Sequence, residues 1–322
     1  MLYLNTAHIE DIGIDWHQLI NVIKETSCLL AERDYAQPIK PYLRYGDTKN
    51  RIIAMPAYVG GEHALAGIKW IASFPDNINK GKLRAHSVTI LNEAGSGVPL
   101  CTLNTTMISA IRTAAVSGLV IKEFVKNKQP QKYTVGITGF GPIGRTHLKM
   151  VESILGNSIE KILLYDLRPI DRSTIESRFT DRIVIAGTWQ ECYDAANIFI
   201  TCTVSDKPYV DRAPQKGSLQ LNVSLRDFSV ATRKYMDVII VDDWDEVCRQ
   251  NTDIENMHKE LGLQKEDTLS IADIACGNAL ENLGPDDVVM FNPMGMAVFD
   301  IAVGGYYYRE AAGKKVGMLM PD

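Results

Sequence analysis

An α/β fold is predicted, with one doubly wound parallel sheet and a second, discontinuous α+β domain. Three observations carry this. The chain has 322 residues, room for about two domains at roughly 150 residues each. Short apolar strand patterns alternate with helical ones through its middle, which implies parallel pairing. The first 112 residues instead show extended stretches divided by turns, and helical spacing returns after Asn292.

In chain order, Asp15 to Arg33 reads as an amphipathic helix, with Leu19, Val22, Ile23, Thr26 and Leu30 on one face. Extended segments follow at Arg51–Met55, Ala64–Ile71 and Ser87–Asn92, then a long connecting helix over Thr105–Val125. Tyr133–Thr138 (YTVGIT) is a β-branched strand that runs into Gly139-Phe140-Gly141-Pro142-Ile143-Gly144 and a helix marked by Ile143, Leu148, Val151 and Leu155. Further strands are expected at 161–166, 182–186, 198–203, 217–224 and 238–242, with a helix at Trp189–Ala196. After Asn292, the spacing of Met296, Phe299 and Val303 predicts a helix that packs back onto the first domain. The expected division is 1–112 with 292–322 as a substrate-binding and dimerisation domain, and 113–291 as a nucleotide domain.

Composition excludes several classes. The net charge of −5 argues against a basic nucleic-acid surface, so no nucleic-acid partner is expected. No apolar run reaches the roughly 18–20 residues of a membrane helix, so no membrane partner is expected either. Met1 to Asn5 carries no basic region or long apolar stretch, and no leader is expected. Six cysteines stand singly, without a C-x-x-C pair, and the six histidines do not cluster. No metal site is expected, and a reducing cytoplasm suits such thiols.

The G-x-G-x-x-G of Gly139, Gly141 and Gly144 lies between a strand and a helix. There its glycines allow a tight turn, close backbone approach to a pyrophosphate, and close helix–strand packing. The N–H groups at that helix start favour an anion. This predicts a Rossmann-type dinucleotide domain. Asp166 stands 166 − 144 = 22 residues after the last glycine, where a carboxylate accepts from ribose hydroxyls and disfavours a 2′-phosphate. NAD is therefore expected over NADP, although Arg168 is a residue type that accommodates such a phosphate. A strand-end acid at a turn is the plain alternative for Asp166.

Several stretches stand in a telling order: QPIK (37–40), MPAY (55–58), GIKW (67–70), RTAAVS (112–117), GFGPIG (139–144) and NPMGMA (292–297) with Asp300. The chain resembles the ornithine cyclodeaminase/μ-crystallin family over nearly its whole length, and the R-T-A-A-x-S block is the most specific element. Within that family it is similar to the dehydrogenases of 2,3-diaminopropionate biosynthesis, on QPIKPYLR (37–44), RIIAMPAYVGGEHALAGIKWI (51–71), TCTVSDKPYV (201–210) and IIVDDW (239–244). The resemblance implies cytoplasmic, NAD-dependent cleavage of N-(2-amino-2-carboxyethyl)-L-glutamate by water. The products are L-2,3-diaminopropionate, 2-oxoglutarate and NADH, and they feed a siderophore or peptide-antibiotic pathway. A homodimer built through the first domain is also implied. That agrees with more apolar strand surface there than about 150 residues bury alone.

Candidate site residues follow from the resemblance and from side-chain chemistry. Lys69 sits in the apolar stretch Ala64–Ile71, where a lone buried ammonium is costly and needs a partner or a task. The resemblance makes it a catalytic residue that contacts substrate and assists proton transfer; a solvent-facing strand position is the alternative. Asp227 follows the fifth strand as the implied base for water, with a helix N-cap as its alternative. The glycine-rich G-G-D-x-P-G-K of the cyclodeaminases is replaced here by Ser224-Leu225-Arg226-Asp227-Phe228-Ser229, which speaks against ornithine cyclisation. Lys40, Arg44 and Arg112 are the candidate anchors for substrate carboxylates. Arg112 with Thr113 is also implied for cofactor phosphates, alongside Gly139, Gly141, Pro142, Ile143, Gly144, Asp166 and Thr203. Gly295 and Met296 are read as opening the last helix, with N–H groups turned to the nicotinamide amide. An ornithine cyclodeaminase, an alanine dehydrogenase, a ketimine reductase and a non-catalytic nucleotide-binding protein remain as rivals.

Overall fold

The computed structural model describes residues 1–47, 49–126 and 132–321. The chain forms two compact units: 1–113 with 295–322, and 114–294. The crossings lie after Thr113, inside the helix Met107–Lys126, and after Met294.

The first unit is built on a mostly antiparallel sheet. Arg51–Val59, Leu65–Ser73, Ala85–Glu93 and Pro99–Asn104 are successive antiparallel neighbours. Leu2–Asn5 then adds in parallel, and Met318–Leu319 closes that edge antiparallel. Period-two alternation sorts the faces. In the central strand, Leu65 and Lys69 are buried while Trp70 is 44% exposed. The register puts Met55, Lys69 and Thr89 in one row across three strands, all buried. The helix Ala297–Lys314 packs on this sheet and against Trp16–Glu32. Trp16–Glu32 is capped by Asp15, whose carboxylate accepts the Gln18 N–H, and ends on Arg33 in the left-handed region. Ala297–Lys314 has no cap from its own Met296; the Gln37 side chain accepts the Val298 N–H instead, at 3.1 Å.

The second unit is a Rossmann-type domain, as the glycine loop predicts. Its sheet has eight strands in the order Ile183–Ile185, Ile159–Tyr165, Tyr133–Thr138, Ile198–Thr201, Leu219–Asn222, Val289–Asn292, Val238–Val241 and Leu269–Ser270. Every pair is parallel. The chain works outward from Tyr133–Thr138 and then returns to Ile198–Thr201 on its other side. That reversal is the switch point at which such sheets bind ligands, beyond the carboxyl ends of their strands. The glycine loop, Thr203 and Asp227 all follow those ends. Two strands go beyond the six read from sequence. Val289–Asn292 enters between the expected fifth and sixth, and Leu269–Ser270 closes the edge.

Candidate functional site

The glycine loop has the geometry its residue types require. Gly139 has φ +84°, and a Cβ there would lie 2.5 Å from the Cys202 carbonyl. A Cβ on Gly144 would lie 2.2 Å from the Gly139 oxygen, so only glycine lets the helix start this close to the turn. Gly141 is the open member: nothing lies within 4 Å of a Cβ built there, leaving its backbone approachable. Pro142 begins the helix Pro142–Leu155, where its missing N–H costs nothing. The Ile143 carbonyl bonds His147 Nδ1 at 2.9 Å, and Ser117 faces Nε2 at 3.0 Å. Burial lowers the His147 pKa to about 4, so the ring is neutral and pins the helix start. Asp166 Oδ2 accepts the Phe140 N–H at 2.8 Å, and Oδ1 accepts the Arg168 N–H at 2.9 Å. The acid therefore ties the glycine loop to the end of the second strand.

Asp227 is fully buried in the same unit. It is not a helix cap, since Ser229 caps the turn that follows. Its carboxylate accepts from Thr203 Oγ1 at 2.6 Å, from the Tyr209 hydroxyl at 3.4 Å, and from Ser224 Oγ. Tyr209 shares a further hydrogen bond with Thr138 at 3.0 Å. Burial raises the Asp227 pKa, and the hydroxyls of Ser224, Thr203, Thr201 and Tyr209 hold the rise back. The arrangement is a buried carboxylate held by hydroxyls, its pKa above the ordinary carboxylate value. Thr203, expected at the cofactor, is here a donor to Asp227.

The first unit carries a separate cluster. Lys69 Nζ donates to Asp300 Oδ1 at 2.9 Å and to Ser109 Oγ at 3.3 Å. Arg112 Nε donates to the same Asp300 oxygen at 3.1 Å. Lys40 Nζ donates to the Gly295 carbonyl at 2.8 Å. Lys40, Lys69, Arg112 and Asp300 are all buried, and Lys69 and Arg112 share the one carboxylate of Asp300. Gly295, with φ +88°, lies so close to Arg112 that a Cβ would meet Nη1 at 2.6 Å. Burial depresses the Lys69 pKa to about 8, and the charges of Arg112 and Lys40 add to that; Asp300 opposes it. Lys69 thus exchanges a proton near pH 8, while a guanidinium such as that of Arg112 does not deprotonate. Such a cluster is suited to binding an anion and to moving one proton.

Lys40, Lys69, Arg112 and Gly295 therefore come together as a group. Thr113 lies beside them in sequence, its hydroxyl donating to the Ser109 carbonyl at 2.7 Å. Arg44 is exposed, with its guanidinium over the Tyr42 ring at 5.5 Å. Asp300, Ser109 and Tyr209 were not among the expected site residues. Asp300 carried a signal of its own, as a lone carboxylate in the apolar run Ala297–Val303. Among the described residues, no group of three or more His, Cys, Asp or Glu could hold a metal ion. No described helix is long and apolar enough to cross a membrane.

Comparison with known proteins places this geometry in context. The family model described as ornithine cyclodeaminase/mu-crystallin family matches residues 6–315. N-((2S)-2-amino-2-carboxyethyl)-L-glutamate dehydrogenase of Staphylococcus aureus is 33% identical over 99% of this chain and 98% of its own. Alanine dehydrogenase of Archaeoglobus fulgidus is 25% identical over 98% and 97%. Among solved structures, the Δ1-pyrroline-2-carboxylate reductase of Thermococcus litoralis, in complex with NADH and L-proline, superposes with a TM-score of 0.88. It is 22% identical and covers 99% of this chain and 100% of its own; at that identity the likeness shows the fold.

Proposed function

The chain belongs to the ornithine cyclodeaminase/mu-crystallin family, and from that premise we propose that it cleaves N-(2-amino-2-carboxyethyl)-L-glutamate oxidatively, with NAD and water, to L-2,3-diaminopropionate, 2-oxoglutarate and NADH. The observation that carries the reading is the buried pair of cations Lys69 and Arg112 on the single carboxylate of Asp300, with the Lys40 charge close enough to lower the Lys69 pKa. A substrate with three carboxylates offers the counter-charge that this cluster lacks, whereas a monocarboxylate such as alanine offers less of it. The 33% identity to the Staphylococcus aureus dehydrogenase over nearly both whole chains points the same way.

The residues fit an NAD molecule. The open backbone at Gly141 suits its pyrophosphate. Asp166, beyond the end of the strand Ile159–Tyr165, suits the ribose hydroxyls. When bound, NAD supplies the acceptor for the hydride that leaves the glutamate α-carbon. The substrate's secondary amine must lose a proton before its lone pair can form the C=N bond. Neutral Lys69 is the group suited to take that proton, and Arg112 and Lys40 hold carboxylates meanwhile. Asp227 then takes a proton from the water that adds to the C=N carbon. Breaking the C–N bond of the resulting carbinolamine gives the keto group of 2-oxoglutarate and the free amine of diaminopropionate.

The direct test mixes purified protein with NAD and the substrate, follows NADH by absorbance and identifies products by mass spectrometry. NADH appearing together with 2-oxoglutarate and diaminopropionate is the expected result. NADH formed from alanine or proline, with the larger substrate inert, would overturn the assignment.

We further propose a homodimer formed through the first unit. The outer face of its sheet exposes Trp70 and Ile90, at 44% and 36%. Light scattering across a dilution series is expected to give twice the chain mass. A mass of one chain at all concentrations would rule the dimer out.

A further inference from the structure

Asp253 opens the helix Asp253–Leu261 and holds the Asp227 turn from two sides. Its backbone N–H donates to the Leu225 carbonyl at 2.8 Å. Its Oδ2 accepts the N–H groups of Asp227 and Phe228, both at 3.0 Å, and Asn222 Nδ2 at 2.9 Å. Asn222 closes the ring, since its Oδ1 accepts the Leu225 N–H at 3.0 Å and its Nδ2 also donates to Asn292 Oδ1 at 2.8 Å. The turn needs holding. Leu225 has φ +65°, a conformation a bulky residue keeps only when its surroundings over-determine it. Asp253 Oδ1 is buried without a hydrogen-bond partner among the described residues.

We propose that Asp253 is the positioning residue for Asp227: it fixes the turn that aims the Asp227 carboxylate, and the two buried carboxylates repel each other. This rests on reading Asp227 as the base that activates water. The repulsion between the two acids is mutual. Burial raises the Asp253 pKa to about 6, and the Asp227 charge contributes to the rise. The titratable groups facing the pair are neutral ones. The Tyr209 hydroxyl and the Cys202 thiol are both pushed up, chiefly by burial. His147, 3.8 Å from the Cys202 sulfur, is pushed down. Arg226 turns its guanidinium away, to the Gln250 carbonyl at 2.8 Å.

Two variants separate geometry from charge. In Asp253→Asn the amide oxygen takes the place of Oδ2 and keeps its three donors, while the NH2 falls where Oδ1 has none to lose. The turn is expected to stay and the charge to go. The Asp227 carboxyl carbon, observed by NMR in protein labelled at aspartate carboxyls and assigned with Asp227→Asn, should then titrate at lower pH than in wild type. The acid limb of kcat should move with it. Asp253→Ala removes the acceptors, and kcat should fall about a hundredfold, the loss that a misplacement on the order of 1 Å brings, with KM for NAD near that of wild type. An Asp227 titration unchanged in Asp253→Asn, or a wild-type kcat in Asp253→Ala, would overturn the proposal. Should Asp253→Ala not fold, the Asn variant still decides. Full activity in Asp227→Asn would refute the reading of Asp227 as the base, while the NMR titration would still report on the coupling.

Discussion

Replacing Lys69 with methionine is expected to lower kcat/KM by about 10²–10⁴-fold, the range of a lost general acid–base group, and to abolish a pH dependence centred near 8. Lys69 is 1% exposed, and burial is the largest influence on its pKa, bringing it to about 8. The sign follows from the role. Only the neutral amine takes a proton from the substrate, so kcat/KM should rise as pH increases through about 8 and then level. Methionine keeps the length and apolar stem of lysine in the row between Met55 and Thr89, so packing changes little. Stopped-flow NADH formation across pH 6 to 10 is the measurement. A Lys69→Met enzyme that still shows the limb near pH 8 would assign that limb to another group.

Lys69 also shows how much of the site was legible in the sequence. An ammonium in an otherwise apolar strand had to be paired or exposed, and that much follows from burial energetics alone. Which alternative held depended on which face of the strand met the helix Ala297–Lys314, and period-two alternation does not choose between faces. The partner was legible by the same argument, because Asp300 stands in the apolar run Ala297–Val303 as Lys69 stands in its strand. Two misfit charges on separate segments call for each other, but they stand 231 positions apart, and nothing local records that distance. The Rossmann sheet was readable where strands are long and followed by glycine, as at Tyr133–Thr138. Val289–Asn292, no shorter than Ile198–Thr201, was not, because it lies between the turn formers Gly284–Asp287 and Pro293 with no helical pattern directly before it. The Asp227 turn was illegible for another reason. The glycines that mark it in cyclodeaminases are absent, and Leu225 reaches the left-handed region because Asn222 and Asp253 hold it there.

Removing the charge of Asp300 is expected to be the most destabilising single change in the first unit. Asp300→Ala leaves Lys69 and Arg112 buried without a counter-charge, and breaking a buried pair in this way costs about 3–5 kcal/mol. The two cations do not share the cost alike. Lys69, already near pKa 8, sheds its proton and escapes most of it. Arg112 cannot deprotonate, so the penalty concentrates there and in the void that alanine leaves. Asp300→Asn isolates the charge. Both cations bond Oδ1, while Oδ2 has no partner among the described residues, so an amide can keep both bonds and place its NH2 at the vacant oxygen. Because the Asp300 charge raises the Lys69 pKa, its loss should carry the acid limb of kcat/KM to lower pH. Urea unfolding should show the alanine variant losing more than the asparagine one. If instead the limb moves to higher pH in Asp300→Asn, then Lys69 is not the titrating group, and the proton that must leave the substrate amine goes elsewhere.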